Sequence, residues 1–179
     1  MKASTILQAL QRLGELAQAE EIKLEISIYG GTAFLLAYNS REGTKDIDAI
    51  LKPKGEGERL ARQVARELGL PEDWINADVV QFISPKIEAK RRLAEIEEAT
   101  GLIVHVPTAE YLLAMKAMAC RRPIAGYRGD IDDLAFLIRK MKIRSLEQIQ
   151  QVIDRFYPDD IIPKQDQTLL QSLIDESHA

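Results

Sequence analysis

Two aspartates two positions apart, Asp46 and Asp48, follow a Gly30-Gly31-Thr32 run, with Arg41 and Thr44 in the stretch between. In an extended strand, residues two apart point to one face and stand about 6.5 Å apart along the chain. Asp46, Asp48 and Ile50 therefore share one face, and Ile47, Ala49 and Leu51 share the other. The apolar set buries, and the first set presents two carboxylates whose mutual repulsion favours a cation close by. Mg²⁺ or Mn²⁺ suits such a pair, because these ions prefer oxygen ligands and Mg²⁺ is commonly held by one or two carboxylates plus substrate phosphates. A polar strand face salt-bridged to Lys45 or Arg41 is the alternative that the pair alone leaves open. Gly30-Gly31-Thr32 falls between a strand pattern and a helix pattern. Backbone N–H groups at the start of a helix lack intrahelical acceptors and sit at the positive end of its dipole, which favours phosphate. A phosphate cradle and a metal site on neighbouring strands would handle a nucleoside triphosphate.

The elements that must position these residues are legible in the spacing. Ile6, Leu10, Leu13 and Ala17 recur at helical intervals, which predicts an opening amphipathic helix with Ser4 as its N-cap. Leu24, Ile26 and Ile28 alternate with polar partners as a half-buried strand does. The glycine turn, a short helix over 33–37 and a polar loop over 39–44 lead into a second strand over 45–51, ended by a turn over 53–57. Leu60, Ala61, Val64, Ala65 and Leu68 form another helix stripe closed by Gly69. Residues 71–84 carry no clear period, and Trp74 and Phe82 are expected in the core or at a docking surface. Residues 86–99 read either as a charged helix or as a shorter strand over 93–97, while 102–106 reads as a strand stopped by Pro107. Beyond it the pattern is helical: a helix capped by Thr108, one over 130–141, one opened by a Ser145/Gln148 capping box, and a last one after Pro163. The predicted fold is α/β, a mixed sheet flanked by helices over 1–106 with a C-terminal helical part over 107–179 packed on it.

The bulk composition narrows the chemistry. A chain of 179 residues, 46% of them hydrophobic, can bury a real core. A net charge of -4 argues against a surface built wholly for nucleic acid, although Lys86, Lys90, Arg91 and Arg92 form one basic run and Arg139, Lys140, Lys142 and Arg144 another. Such runs serve equally well as solvated helix faces. One cysteine, Cys120, excludes an internal disulfide and a Cys-rich zinc site, and only His105 and His178 are available for a histidine centre. Carboxylates must therefore carry any metal. Residues 1–16 have neither the apolar run of a signal peptide nor the length of a membrane span, so a cytoplasmic protein with no membrane partner is expected.

The run Ile28-Tyr29-Gly30-Gly31-Thr32-Ala33, then Arg41, then Thr44-Lys45-Asp46-Ile47-Asp48, resembles the signature of the nucleotidyltransferase superfamily. Within it the chain is most similar to the AbiEii-type abortive-infection toxins and their nucleotidyltransferase-like bacterial relatives. A second region, 112–119 with Lys116, then Arg121, then Arg128-Gly129-Asp130-Ile131-Asp132-Asp133-Leu134, resembles that branch's later motif. The resemblance implies that Asp46 and Asp48 bind one or two Mg²⁺ ions and that Gly30, Gly31 and Thr32 hold the β- and γ-phosphates. It also implies that Lys116 reaches the triphosphate and that Asp130, with Asp133, lies near the acceptor. By the residues alone, Lys116 also reads as a helix-surface lysine and Asp130 as a helix cap.

Active members of that superfamily add a third carboxylate from a later strand. The strand over 102–106 offers only His105; Glu95 or Glu97 would serve if 93–97 is a strand, and Asp78 is a further candidate. Two functions follow. One is transfer of a nucleoside monophosphate from a nucleoside triphosphate to a hydroxyl, with RNA the favoured acceptor by resemblance and by the 86–92 basic run, in the role of a toxin with a cognate antitoxin. The other is a catalytically idle module of the same fold that binds or regulates. An oligomer through the C-terminal helices is compatible with both.

Overall fold

The computed structural model describes residues 1–122 and 129–178. The chain divides into two compact units, Met1–Gln81 with Lys90–Val106, and Phe82–Ala89 with Pro107–Ala179. Set beside the 1–106 and 107–179 division read from the sequence, the segment 82–89 is the one that changes side. Its hydrogen bonds explain why: the Tyr157 hydroxyl donates to Phe82 O at 2.6 Å and the Ser84 hydroxyl to Phe156 O at 2.6 Å. Among the described residues no helix is long and apolar enough to cross a membrane.

The first unit is a mixed α/β layer structure. Its sheet has five strands, β1 (Glu25–Ile28), β2 (Ile47–Lys52), β3 (Ile75–Asn76), β4 (Lys90–Arg92) and β5 (Ile103–Pro107), in the order β3-β2-β1-β5-β4. The central strand β1 runs antiparallel to β2 and parallel to β5, and β3 runs parallel to β2. Register fixes the faces, because paired residues share one. Ile26 lies opposite both Leu51 and Val104, and with Ile28, Ile47, Ala49 and Val106 these side chains make the buried face. Ser27 lies opposite both Ile50 and His105, and Asp48 lies opposite Asn76, so these residues make the other face. Helix α1 (Ala3–Ala19) buries Ile6, Leu10 and Leu13 and packs on α3 (Lys54–Leu68), whose stripe is Leu60, Ala61, Val64 and Ala65, and on α4 (Ala94–Thr100). Trp74 is fully in this core and donates its indole N–H to Ala61 O at 3.0 Å.

Several local expectations change. The first helix starts before Ser4, with Lys2 at the N-cap position and no side-chain cap. The turn expected over 53–57 is the first turn of α3: Pro53 precedes it, where its fixed φ suits a helix start, and Glu56 sits in the favourable first turn. Residues 86–99 follow neither alternative as drawn: a strand, β4, lies at Lys90–Arg92 and not over 93–97, and the helix α4 begins only at Ala94. Glu95 and Glu97 are therefore helical, not strand residues. Phe82 is 40% exposed, not a core residue.

The second unit is helical: α5 (Ala109–Ala119), α6 (Ile131–Met141), α7 (Leu146–Phe156) and α8 (Lys164–Glu176). Thr108 and Ser145 cap α5 and α7 by accepting from Tyr111 N–H and Gln148 N–H. The Gln148 amide oxygen closes that box one residue early, on Arg144 N–H at 2.6 Å. Residues 111–117 of α5 are all buried, so α5 is an apolar central helix with α6 and α7 packed on it. The basic run Arg139, Lys140 and Lys142 lies at the C-terminal end of α6, where cations complement the helix dipole.

Tyr111 ties this unit together. Its ring packs at a tilt against Phe156, centroids 4.9 Å apart, and its hydroxyl accepts Ser84 N–H at 2.9 Å. Tyr111→Phe keeps the ring and orphans a buried N–H, which costs about 1–3 kcal/mol. Urea unfolding is expected to show a lower midpoint of that size, and an unchanged midpoint would mean the bond contributes nothing.

Candidate functional site

The order strand, glycine pair, helix is realised without an intervening loop. Helix α2 (Gly30–Tyr38) starts at Gly30, with Tyr29 at the N-cap position. Tyr29 N–H donates to Asp48 O at 2.8 Å, so the pairing of β1 with β2 continues to the residue just before the helix. Gly30 has φ +54, in the region that favours glycine, and a Cβ there would collide with the Asp48 carboxylate. The carboxylate thus lies directly against the helix start. A Cβ on Gly31 would stand 2.8 Å from Thr44 Oγ1 and 3.0 Å from Arg41 Nη1. Arg41 also sits over the Phe34 ring at 6.0 Å. Gly30, Gly31, Arg41, Thr44 and Asp48 are therefore gathered around one turn of backbone.

Asp46 and Thr32 complete the group in different ways. Asp46 precedes β2, and its carbonyl accepts both Thr32 Oγ1 at 3.0 Å and Thr44 Oγ1 at 3.2 Å. Thr32 is fully buried, and its hydroxyl fastens the strand entry to the helix, so the structure does not present it to a phosphate as the sequence reading expected. The Asp46 side chain, like that of Asp48, is half-buried. Thr44 N–H donates to Met1 O at 2.9 Å, which holds the loop between α2 and β2.

This donor set fits a phosphate-borne cation. The N–H groups of a helix start take phosphate oxygens, but a carboxylate beside them, as Asp48 is, repels a polyphosphate unless a divalent ion comes with it. Asp46 and Asp48 are the residues that would hold Mg²⁺, and two carboxylates are the usual protein share of such a site. Among the described residues no group of three or more His, Cys, Asp or Glu is arranged around a metal position. Glu97 is engaged elsewhere: it accepts Arg92 Nε at 2.8 Å and Val104 N–H at 2.9 Å, and the Arg92 bond holds its carboxyl below the usual range. Asp78 is exposed at the start of a 3₁₀ turn, and His105 is half-buried on β5.

Lys116, Asp130 and Asp133 belong to the second unit and form a cluster of their own. Lys116 is 6% exposed, so it is not a helix-surface lysine. A charge inside an apolar helix needs partners. Its ammonium lies 2.6 Å from Asp130 Oδ1 and 2.9 Å from Asp133 Oδ2. Asp130 holds the N-cap position of α6 without capping it through its side chain. Its carboxylate instead accepts Lys116 and the backbone N–H and guanidinium of Arg121. Arg128, part of the second motif, lies outside the described residues.

The basic run over 86–92 is dispersed among separate partners. Lys86 pairs with Asp159 at 3.0 Å within the second unit. In the first, Lys90 donates to Ser27 Oγ at 3.3 Å, Arg91 covers the Tyr38 ring at 5.6 Å, and Arg92 pairs with Glu97. Ser27 is absent from the residues the sequence points to, yet the alternation around Ile26 and Ile28 places it on the polar face. No family model, curated protein or solved structure matches the chain.

Burial alone would raise the Asp130 pKa, but Lys116 and Arg121 outweigh it and hold the carboxyl below its usual value. A pKa lower in the folded than in the unfolded state stabilises above the unfolded value, about 3.9, and that contribution is lost as pH falls through the folded value. Asp130→Asn is expected to lose roughly 3 kcal/mol at neutral pH, because it removes one carboxylate from the buried Lys116 ammonium. Its stability should then fall less steeply than the wild type's as pH drops below about 5. Parallel pH curves for the two proteins in urea would contradict the assignment.

Proposed function

We propose that the chain is a Mg²⁺-dependent nucleotidyltransferase that moves a nucleoside monophosphate from a nucleoside triphosphate to a hydroxyl acceptor. The observation that supports this reading is the gathering of Asp48 against Gly30, and of Arg41 and Thr44 against Gly31, at the start of α2. The first-turn N–H groups and the Arg41 guanidinium would bind and orient the phosphates, with Thr44 fixing the loop that carries Arg41. Asp46 and Asp48 would hold the divalent ion, which neutralises charge developing on the phosphates when bound. Lys116 and Asp130 would support the reaction by fastening α5 to the start of α6, since their charges are spent on each other.

The motif resemblance adds the finer parts of the proposal: an RNA acceptor, a role as toxin with a cognate antitoxin, and work in the cytoplasm. One observation favours a second reading, binding without transfer. Glu97 is committed to Arg92 and Val104, so the acidic donors at the turn number two.

Binding and transfer separate experimentally. Equilibrium dialysis of labelled nucleoside triphosphates is expected to show Mg²⁺-dependent binding that weakens at least about tenfold in Asp48→Asn, the loss of roughly one charge-assisted contact. Gly31→Ala should weaken it too by displacing Thr44 and Arg41. Undiminished affinity in both variants would sink the proposal. With total RNA or cell extract added, steady pyrophosphate release that vanishes in Asp48→Asn would reject the idle module.

A further inference from the structure

We propose that Arg91, backed by the Tyr38 ring, is the seat of the nucleobase and favours purines, a role that rests on the nucleotide-binding part of the reading above. Gly31, Phe34 and Tyr38 recur at the three- and four-residue steps of one helix face. A single stripe of α2 therefore runs from the phosphate turn to the far end of the helix. Gly31 and Tyr38 stand about two turns apart, roughly 10 Å along the axis. A helical side chain leans back over the turn before it, which brings the Tyr38 ring nearer to the phosphate turn than its backbone is. That span suits a ribose and its phosphate chain.

Two guanidiniums flank this stripe. Arg41 lies over Phe34 at 6.0 Å, with its Nη1 3.0 Å from where a Gly31 Cβ would stand. At the other end Arg91 reaches across from β4 and sits 5.6 Å from the centroid of Tyr38, whose ring is 6.2 Å from that of Phe34. Phe34, Tyr38, Arg41 and Arg91 all belong to the first unit. Phe34 is fully buried, Tyr38 is half-buried and Arg91 is exposed, so the row meets solvent at the Arg91 guanidinium. Capping of α2 accounts for little of its position: the bond to Ala37 O measures 3.4 Å, beyond the usual range for N–H···O. A planar cation held on an aromatic ring offers its outer face to a base and needs no base-edge hydrogen bond to hold it. A bicyclic purine overlaps that plate more fully than a pyrimidine does. Arg41, at the near end, is left for the phosphates.

Equilibrium dialysis with Mg²⁺ and either ATP or inorganic tripolyphosphate isolates the base, because the two ligands share the phosphate chain. The wild type is expected to bind ATP and GTP more tightly than CTP and UTP. Arg91→Lys keeps the charge and loses the plane. It should lower the ratio of ATP to tripolyphosphate affinity at least about fivefold, the lower end of what one stacked base contributes. Tyr38→Leu, which removes the backing ring, should lower the same ratio, and any general loss of folded protein cancels in it. A ratio unchanged in Arg91→Lys, or pyrimidine triphosphates held as tightly as purine ones, overturns the nucleobase seat and leaves the phosphate turn standing. A wild type that binds neither tripolyphosphate nor any of these nucleotides with Mg²⁺ overturns both.

Discussion

A carboxylate packed against a bare backbone is the contact on which the candidate site depends. Asp48 can lie at the start of α2 only because Gly30 has no side chain and takes a positive φ. The Tyr29–Asp48 backbone bond extends the sheet to that point, so the helix start and the acidic strand are set by the same ladder. An isolated carboxylate at a helix N-terminus is stabilised by the dipole. Asp46 lies one residue before β2, and under the proposed function this acidic pair would admit a polyphosphate only together with a cation. Charge balance, more than shape, gives the site its proposed selectivity.

The second unit obeys a different constraint. Its central helix is buried on all sides over 111–117, and one of those residues is a lysine. Asp130 and Asp133, at the start of α6, meet that lysine, and Arg121 joins them. Breaking such a buried group is costly because each removal strands a charge. The arrangement fixes how α5 and α6 meet.

Much of this was legible in sequence where one period dominates. The alternation over 47–51 gave the correct faces of β2, and the apolar stripes of α1 and α3 marked their buried sides. The mixed sheet flanked by helices follows from those patterns. Legibility failed where local preference met long-range pairing. Residues 90–92 carry three successive cations, an unlikely strand by composition, yet they form the sheet edge beside β5, where charged residues protect an open edge. Pro53 looked like a stop and is a start, because proline is tolerated only at the first turn of a helix. The burial of Lys116 was implicit in its neighbours Leu112, Leu113, Ala114, Met115 and Ala117. Its partners Asp130 and Asp133 could be found only by folding α6 back on α5. The register that sets Ser27 beside both Ile50 and His105 likewise belongs to the sheet and to no single segment.

The most direct measurement is a crystal structure of the protein with a non-hydrolysable nucleoside triphosphate and Mn²⁺, read by anomalous scattering. The account predicts a manganese peak touching Asp46 and Asp48, with phosphate oxygens on the N–H groups of Gly30 and Gly31. Nucleotide bound away from that turn, or there with no metal on either aspartate, would contradict it.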